Sequence, residues 1–232
     1  MSDEALSAAE LARLDALIDP RQSAWWDQFF ADRNKRCPFF VTLPDESLVQ
    51  AVGDGRKIPG RALELGCGNG RKAICLARQG YAVDAVDFSQ TALDWAAHNV
   101  AEAGVTVRLI KHSVTDLVVQ LGSYDLVYDS GCFHHLAPHR RRPCVALVRR
   151  ALAVGGWFGL SCFRPEGGSG FTDAEVYERG SLGGGLGYTE AQLREIWSHG
   201  FEVRELRPMA PQRPESGLFG EAFLWALWAQ KL

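Results

Sequence analysis

The chain has 232 residues, 47% of them hydrophobic and 23% charged, and a formal net charge of −3. That length holds one α/β core with additions, and the mild acidity argues against a nucleic-acid partner, which usually meets a basic excess. No apolar run approaches the ~18 residues of a membrane span, the acidic start MSDEALSAAELARLDALIDP lacks the basic head and apolar middle of a signal peptide, and six scattered cysteines without paired metal spacing read as reduced thiols. The expectation is a cytoplasmic protein without metal or membrane contact.

The first fifty or so residues read as helices. Leu6, Leu11, Leu14, Leu17 and Ile18 have helical spacing, AWWDQFFADR clusters aromatics, CPFF interrupts, and PDESLVQAV is a short helix opened by Pro44 and Asp45. From Arg61 strands and helices alternate. RALELG is a strand, RKAICLARQG a helix closed by Gly80, VDAVDF a strand, and SQTALDWAAHNVAEAG a helix capped by Ser89 and ended by Gly104. VTVRLIKH and YDLVYDSG are strands with a short connection between them. PHRRRPCVALVRRALAVGG is a helix ending in paired glycines, and WFGLSCF is a strand. After a stretch with eight glycines between 167 and 187 come a helix, EAQLREIWSHG, and two strands, FEVRELRPM and AFLWALWAQKL. The connection around 209–219 is too short for a helical crossover, so these last two strands pair antiparallel. The order predicts an α/β fold with a doubly wound, mostly parallel sheet covered on both faces, and strands without clean alternation agree.

LELGCGNGRKA places Gly66, Gly68 and Gly70 between the first strand and its helix. Glycine there accepts positive φ and lets a ligand approach the backbone, at the sheet edge where ligands of open α/β folds bind. A glycine turn without a ligand is the alternative. Asp87 ends the next strand, where an acid accepts from both hydroxyls of a ribose. A dinucleotide fingerprint wants its third glycine one residue later, where Arg71 stands. Glu64, before the turn, would repel a pyrophosphate and suits a cationic ligand.

The stretch ALELGCGNG followed by AVDFS resembles motif I and the second-strand acid of class I S-adenosylmethionine-dependent methyltransferases, from about Trp25 to the end of the chain. The resemblance implies a Rossmann-like sheet of seven strands with a C-terminal antiparallel hairpin. It implies residues 1–55 as an N-terminal helical cap or lid and 56–232 as the methyltransferase domain. It implies that Glu64, Gly66, Cys67, Gly68 and Gly70 hold the methionine part of S-adenosyl-L-methionine, that Asp87 with Phe88 beside it holds the ribose, and that Ser113 and Val114 flank the adenine. Many members carry an aspartate where Ser113 stands; Asp116 is the nearby acid here.

YDLVYDSGCFHHLAPHRRR ends its strand near Asp129 on the same edge, so Asp129 and Ser130 are expected to line the cofactor and Phe133, His134 and His135 to face substrate. Methyl transfer from a sulfonium is an in-line displacement that depends on orientation. A hydroxyl or ammonium acceptor must also lose a proton, and histidine titrates in the right range. His134 and His135 are the base candidates; each has capping or packing as its alternative, and a thiolate needs no base. The pattern D-x-G-x-F-H-H-L with its His-Arg run is similar to small-molecule methyltransferases of the thiopurine and tellurite type, and WWDQFFADR…CPFF fits that branch. Arg140 is a candidate for a substrate carboxylate, or part of a solvated helix start. Trp25, Trp26, Phe30 and Phe40 are candidates for an aromatic wall that excludes water over the acceptor, or for core packing, and Tyr177 is a pocket candidate. The expected function is methyl transfer to a small-molecule acceptor through sulfur, oxygen, nitrogen or a heavier chalcogen, by a monomer or homodimer. A macromolecular acceptor, an NAD-dependent oxidoreductase and a non-catalytic cofactor-binding module are the alternatives.

Overall fold

The structure, a computed structural model, describes residues 6–18, 22–53 and 59–232. Seven strands form one sheet in the order β3-β2-β1-β4-β5-β7-β6. They are β1 (Arg61–Leu65), β2 (Ala82–Asp87), β3 (Val107–Lys111), β4 (Tyr124–Ser130), β5 (Leu152–Phe163), β6 (Phe201–Pro208) and β7 (Leu224–Lys231). The first five pair parallel, and β7 runs antiparallel between β5 and β6. This is the seven-stranded, Rossmann-like sheet with an antiparallel end that the motif pattern implied.

The eight helices among the described residues are α1 (Ala8–Asp15), α2 (Gln22–Ala31), α3 (Glu46–Gly53), α4 (Arg71–Arg78), α5 (Gln90–Ala103), α6 (Arg141–Ala151), α7 (Asp173–Arg179) and α8 (Glu190–Trp197). None is long and apolar enough to cross a membrane. Successive side chains of a strand point to opposite faces, and the core divides accordingly. Ala62, Val83, Ala85, Leu126 and Tyr128 pack with Leu48 of α3, Leu76 of α4 and Leu93 of α5. Leu63, Leu65, Val86, Val127 and Leu160 pack with Val148 of α6 and with Leu193 and Trp197 of α8. Helix starts follow their caps: the Ser89 hydroxyl accepts from Ala92 N at 3.1 Å, and Thr172 and Thr189 open α7 and α8 with reciprocal capping boxes.

One expected boundary is corrected. The helix assigned through the paired glycines stops at Ala151, and β5 begins at Leu152. Leu152 pairs with Tyr124, and the register then shifts so that Trp157 pairs with Leu126. Gly155, at φ +76, lies in the extra length of β5, so the glycines serve a strand irregularity and not a helix end.

Gly159 in β5 stands opposite Tyr128 on β4 and Trp228 on β7. A Cβ there would lie 2.6 Å from Tyr128 Cδ2 and 2.7 Å from the Trp228 ring. Gly159→Ala is therefore expected to overpack the sheet and cost about 1–3 kcal/mol, read as a lowered urea midpoint. An unchanged midpoint contradicts this packing.

Candidate active site

The glycine turn is built by steric necessity. Gly66, Gly68 and Gly70 have φ of +64, +54 and +79, values that L side chains rarely adopt. A Cβ on Gly66 would stand 2.7 Å from Cys132 Cβ, and one on Gly70 would stand 3.1 Å from Ala96 Cβ. Gly66 thus lets the turn after β1 lie against the turn after β4, and Gly70 seats the start of α4 on α5. At Gly68 the nearest atoms are those of the Phe30 ring, at 3.5 Å. Among the described residues, the Phe30 ring of α2 is thus what a Cβ on Gly68 would meet within 4 Å.

Asp87 is joined to this turn directly. Its Oδ2 accepts from Gly68 N at 2.9 Å and its Oδ1 from Ser89 N at 2.9 Å. Burial pushes its carboxyl pKa up, while the backbone donors pull the other way. Each oxygen retains acceptor capacity, which is what two vicinal ribose hydroxyls require. Phe88 follows, half-buried. The turn, the acid and a face met by Phe30 fit S-adenosylmethionine.

Beneath the turn lies a cluster of buried charges. Glu64 is fully buried and faces Lys72 Nζ at 3.4 Å, with no hydrogen bond to either carboxylate oxygen among the described residues; burial raises its pKa to about 7. Arg71 Nη2 stands 2.5 Å from Asp45 Oδ1, and Asp45 Oδ2 accepts from the Tyr128 hydroxyl at 2.8 Å. The Ser130 side chain also lies beside Asp45. The Cys67 thiol is buried in the core beside α3 and α4, so of that residue only the backbone belongs to the turn. Glu64, Cys67 and Ser130, expected at the cofactor, thus direct their side chains into the layer supporting it.

The turn after β4 is organised by Asp129, whose Oδ1 accepts from Cys132 N at 2.9 Å and Phe133 N at 3.2 Å. Burial pushes its pKa to about 7. His134 is buried, its ring stacked on Phe163 with centroids 3.7 Å apart. Its Nδ1 accepts from Phe163 N at 3.2 Å, which places the neutral ring's proton on Nε2. His135 lies between His134, at 4.3 Å, and the edge of Trp26, at 4.8 Å. Burial lowers the His134 pKa well below the ordinary value and the His135 pKa to about 4.

Helix α2 is held across the edge by Asp27, which accepts from Ser89 Oγ at 2.6 Å and Thr91 N at 3.2 Å. It carries Trp26 and Phe30 over the turn. Phe30 and Phe40 stack at 5.7 Å, and Phe40 meets Trp95 of α5 edge-on at 5.0 Å. Trp95 and Phe163 are wall residues that the sequence reading missed; Trp95 had its helical context as a signal, and Phe163 only its strand-tip position. Trp25 is 52% exposed at the outer edge of this cluster.

Three other candidates lie elsewhere. Phe133 is fully buried, packed on Tyr188 and Trp197 in the core. The Arg140 guanidinium is paired with Asp15 of α1. Tyr177 donates to or accepts from His139 Nδ1 at 2.9 Å, and His139 Nε2 reaches Asp15 at 2.8 Å. Arg140 and Tyr177 thus fasten α1 to the rest of the fold. Ser113 bonds Thr115 within its loop. Val114 lines a cleft of about 240 Å³ between that loop and α6.

Both site histidines are expected to remain neutral from pH 8 to 5.5, because burial lowers their pKa in the folded protein; between about pH 6.5 and 4 the unfolded chain takes up protons that the folded rings refuse. Stability from neutral burial is therefore complete above about pH 6.5 and lost as pH falls toward 4. In histidine NMR titration, ring signals of His134 and His135 should not shift in that range; a midpoint near 6.5 contradicts their burial.

The comparisons with known proteins agree with this geometry. A family described as "Methyltransferase domain" matches residues 62–156. The 2-heptyl-1-hydroxyquinolin-4(1H)-one methyltransferase of Mycobacteroides abscessus is 25% identical over 179 residues, covering 75% of this chain and 72% of that protein. A ubiquinone biosynthesis O-methyltransferase of Caulobacter sp. (strain K31) is 29% identical over 165 residues, and the match covers 65% of this chain but only 61% of that protein. The fold is shared with Burkholderia thailandensis 1,6-didemethyltoxoflavin-N1-methyltransferase, solved with 1,6-didemethyltoxoflavin and S-adenosylhomocysteine, at a TM-score of 0.66 and 20% identity over 100% of this chain and 93% of that one. It is shared with TehB from Haemophilus influenzae at a TM-score of 0.59 and 18% identity, over 79% and 62%. The family match runs from β1 into β5 and so takes in the glycine turn, Asp87 and the turn after β4 as one unit: residues 62–156 of this chain match a methyltransferase domain.

Proposed function

We propose that the protein methylates a flat, apolar small molecule on a ring-borne oxygen, sulfur or nitrogen. The observation that carries this reading is the aromatic wall of Trp26, Phe30, Phe40 and Trp95, closed over the glycine turn and against His135. Flat rings pack on such a wall by offset or edge-on contact, and its enclosure suits a ring better than a protein or RNA segment.

When bound, S-adenosylmethionine supplies a methyl carbon on a sulfonium, and the acceptor lone pair takes that carbon while the C–S pair stays on sulfur. The chain's own contribution is placement. Asp87 would hold the ribose, the Gly66–Gly70 backbone the methionine part, and Phe88 and Val114 the adenine. The aromatic wall would fix the acceptor and exclude water, and orientation of this kind contributes up to about 7–11 kcal/mol. His135, neutral because burial holds its pKa near 4, would receive the acceptor's proton. A base this weak suits an acceptor with an acidic proton. The names of the two curated relatives, a hydroxyquinolinone methyltransferase and an O-methyltransferase, support a ring hydroxyl. The low pKa of His135 equally favours a thiol, which ionises without strong base.

A panel of hydroxyquinolinones, phenols, aryl thiols, RNA and protein, scored by S-adenosylhomocysteine release, tests this. Turnover is expected with ring hydroxyls or thiols; turnover with RNA or protein alone overturns the acceptor class. Asp87→Ala should weaken S-adenosylmethionine binding at least tenfold by calorimetry, and unchanged affinity would remove the ribose role.

A further inference from the structure

The glycines and Asp87 suffice to shape the cofactor turn, yet two other residues of the same stretch spend their side chains on a distant segment. Residues 41–45 leave the aromatic cluster and lead into α3. Val41 O accepts from Asn69 Nδ2 at 2.9 Å, and Leu43 O accepts from Arg71 Nη1 at 2.5 Å. Arg71 Nη2 pairs with Asp45, and its guanidinium lies 4.3 Å from the centroid of the Phe219 ring. Asn69 and Arg71 are both buried. A buried guanidinium is costly unless its donors are matched, and here the fork is divided between a carbonyl and a carboxylate of one strap. The strap is held from its other side too, where Phe219 N donates to Pro44 O at 2.8 Å.

The strap is the continuation of Phe39 and Phe40, which lie in different parts of the wall. Phe40 meets Phe29, Phe30 and Trp95. Phe39 meets Phe163, which also stacks on the ring of His134. Moving the strap therefore moves aromatic rings on both flanks of the acceptor space.

We propose that Asn69 and Arg71 are positioning residues for the acceptor side: through Val41, Leu43 and Asp45 they hold the Phe39–Phe40 wall in register with the cofactor turn. Acceptor specificity is then set partly from the floor of the cofactor site. This rests on the acceptor reading above, but the positioning itself belongs to the free protein and is measurable without turnover.

Asn69→Asp is the discriminating variant. It keeps the Oδ1 acceptor that receives Arg71 N at 3.4 Å at the start of α4, and removes the donor to Val41 O. Hydrogen exchange of the free protein should quicken by about fivefold in the peptide covering 37–43, as expected for one lost hydrogen bond, including the Phe40 amide that donates to Cys37 O at 3.0 Å. Exchange in β1, α4 and β4 should stay as in the parent. With an acceptor found by the panel, its KM should rise about fivefold or more, and by more than S-adenosylmethionine affinity falls. Arg71→Lys, which cannot serve both partners at once, should shift the same peptide in the same direction. Unchanged exchange at 37–43 in Asn69→Asp, or equal loosening of α4, overturns the proposal. So does a loss of cofactor affinity as large as the rise in acceptor KM. A parent protein inactive on every small acceptor sinks the acceptor reading while the exchange result still decides the strap.

Discussion

The hydrogen bond from Gly68 N to the Asp87 carboxylate, 2.9 Å long, joins the tips of β1 and β2 and is the constraint on which the site depends. It requires a backbone in the left-handed region, which L side chains rarely adopt, and an acid that is buried yet still has lone pairs to offer. The strand order puts β4 on the other side of β1, so the turn that Gly66 admits against Cys132 lies at the switch point where open α/β sheets bind ligands. Helix α2 spans this edge because Asp27 caps the same end of α5 that Ser89 opens.

Charge is handled differently above and below the turn. Above it, the facing groups are aromatic rings and two neutral histidines. Below it, Asp45, Glu64, Arg71 and Lys72 are buried together, and pairing limits the desolvation penalty. Glu64 and Asp129, each raised to about 7, stabilise the fold fully below the ordinary carboxylate range and lose that contribution as pH rises through 7. The site histidines act in the opposite direction between about pH 6.5 and 4. These opposed contributions flatten the dependence of stability on pH across the range in which the enzyme would work.

What the sequence made legible was local. Glycines spaced at a strand end, an acid at the next strand tip, and caps such as Ser89 and Gly104 declare themselves within a few residues, because sterics and backbone hydrogen bonds act at that range. Side-chain direction across the fold did not declare itself. Arg140 looked available in a basic run, but its partner Asp15 lies 125 positions away. Phe133 stands in a site motif yet turns into the core, while Phe163 and Trp95, outside any motif, reach the wall. Glu64 was read as facing the ligand because it precedes the turn; the alternation of β1 puts it with Ala62 on the side of α3 and α4.

The claim that the Gly68–Asp87 junction seats the cofactor with α2 as the wall opposite is tested most directly by a crystal structure with S-adenosylhomocysteine. The account predicts the ribose on the Asp87 carboxylate, the amino-acid end along the Gly66–Gly70 backbone, and Phe30 or Trp26 facing the sulfur. A nucleoside bound away from Asp87, with Phe30 still resting on Gly68, would contradict it.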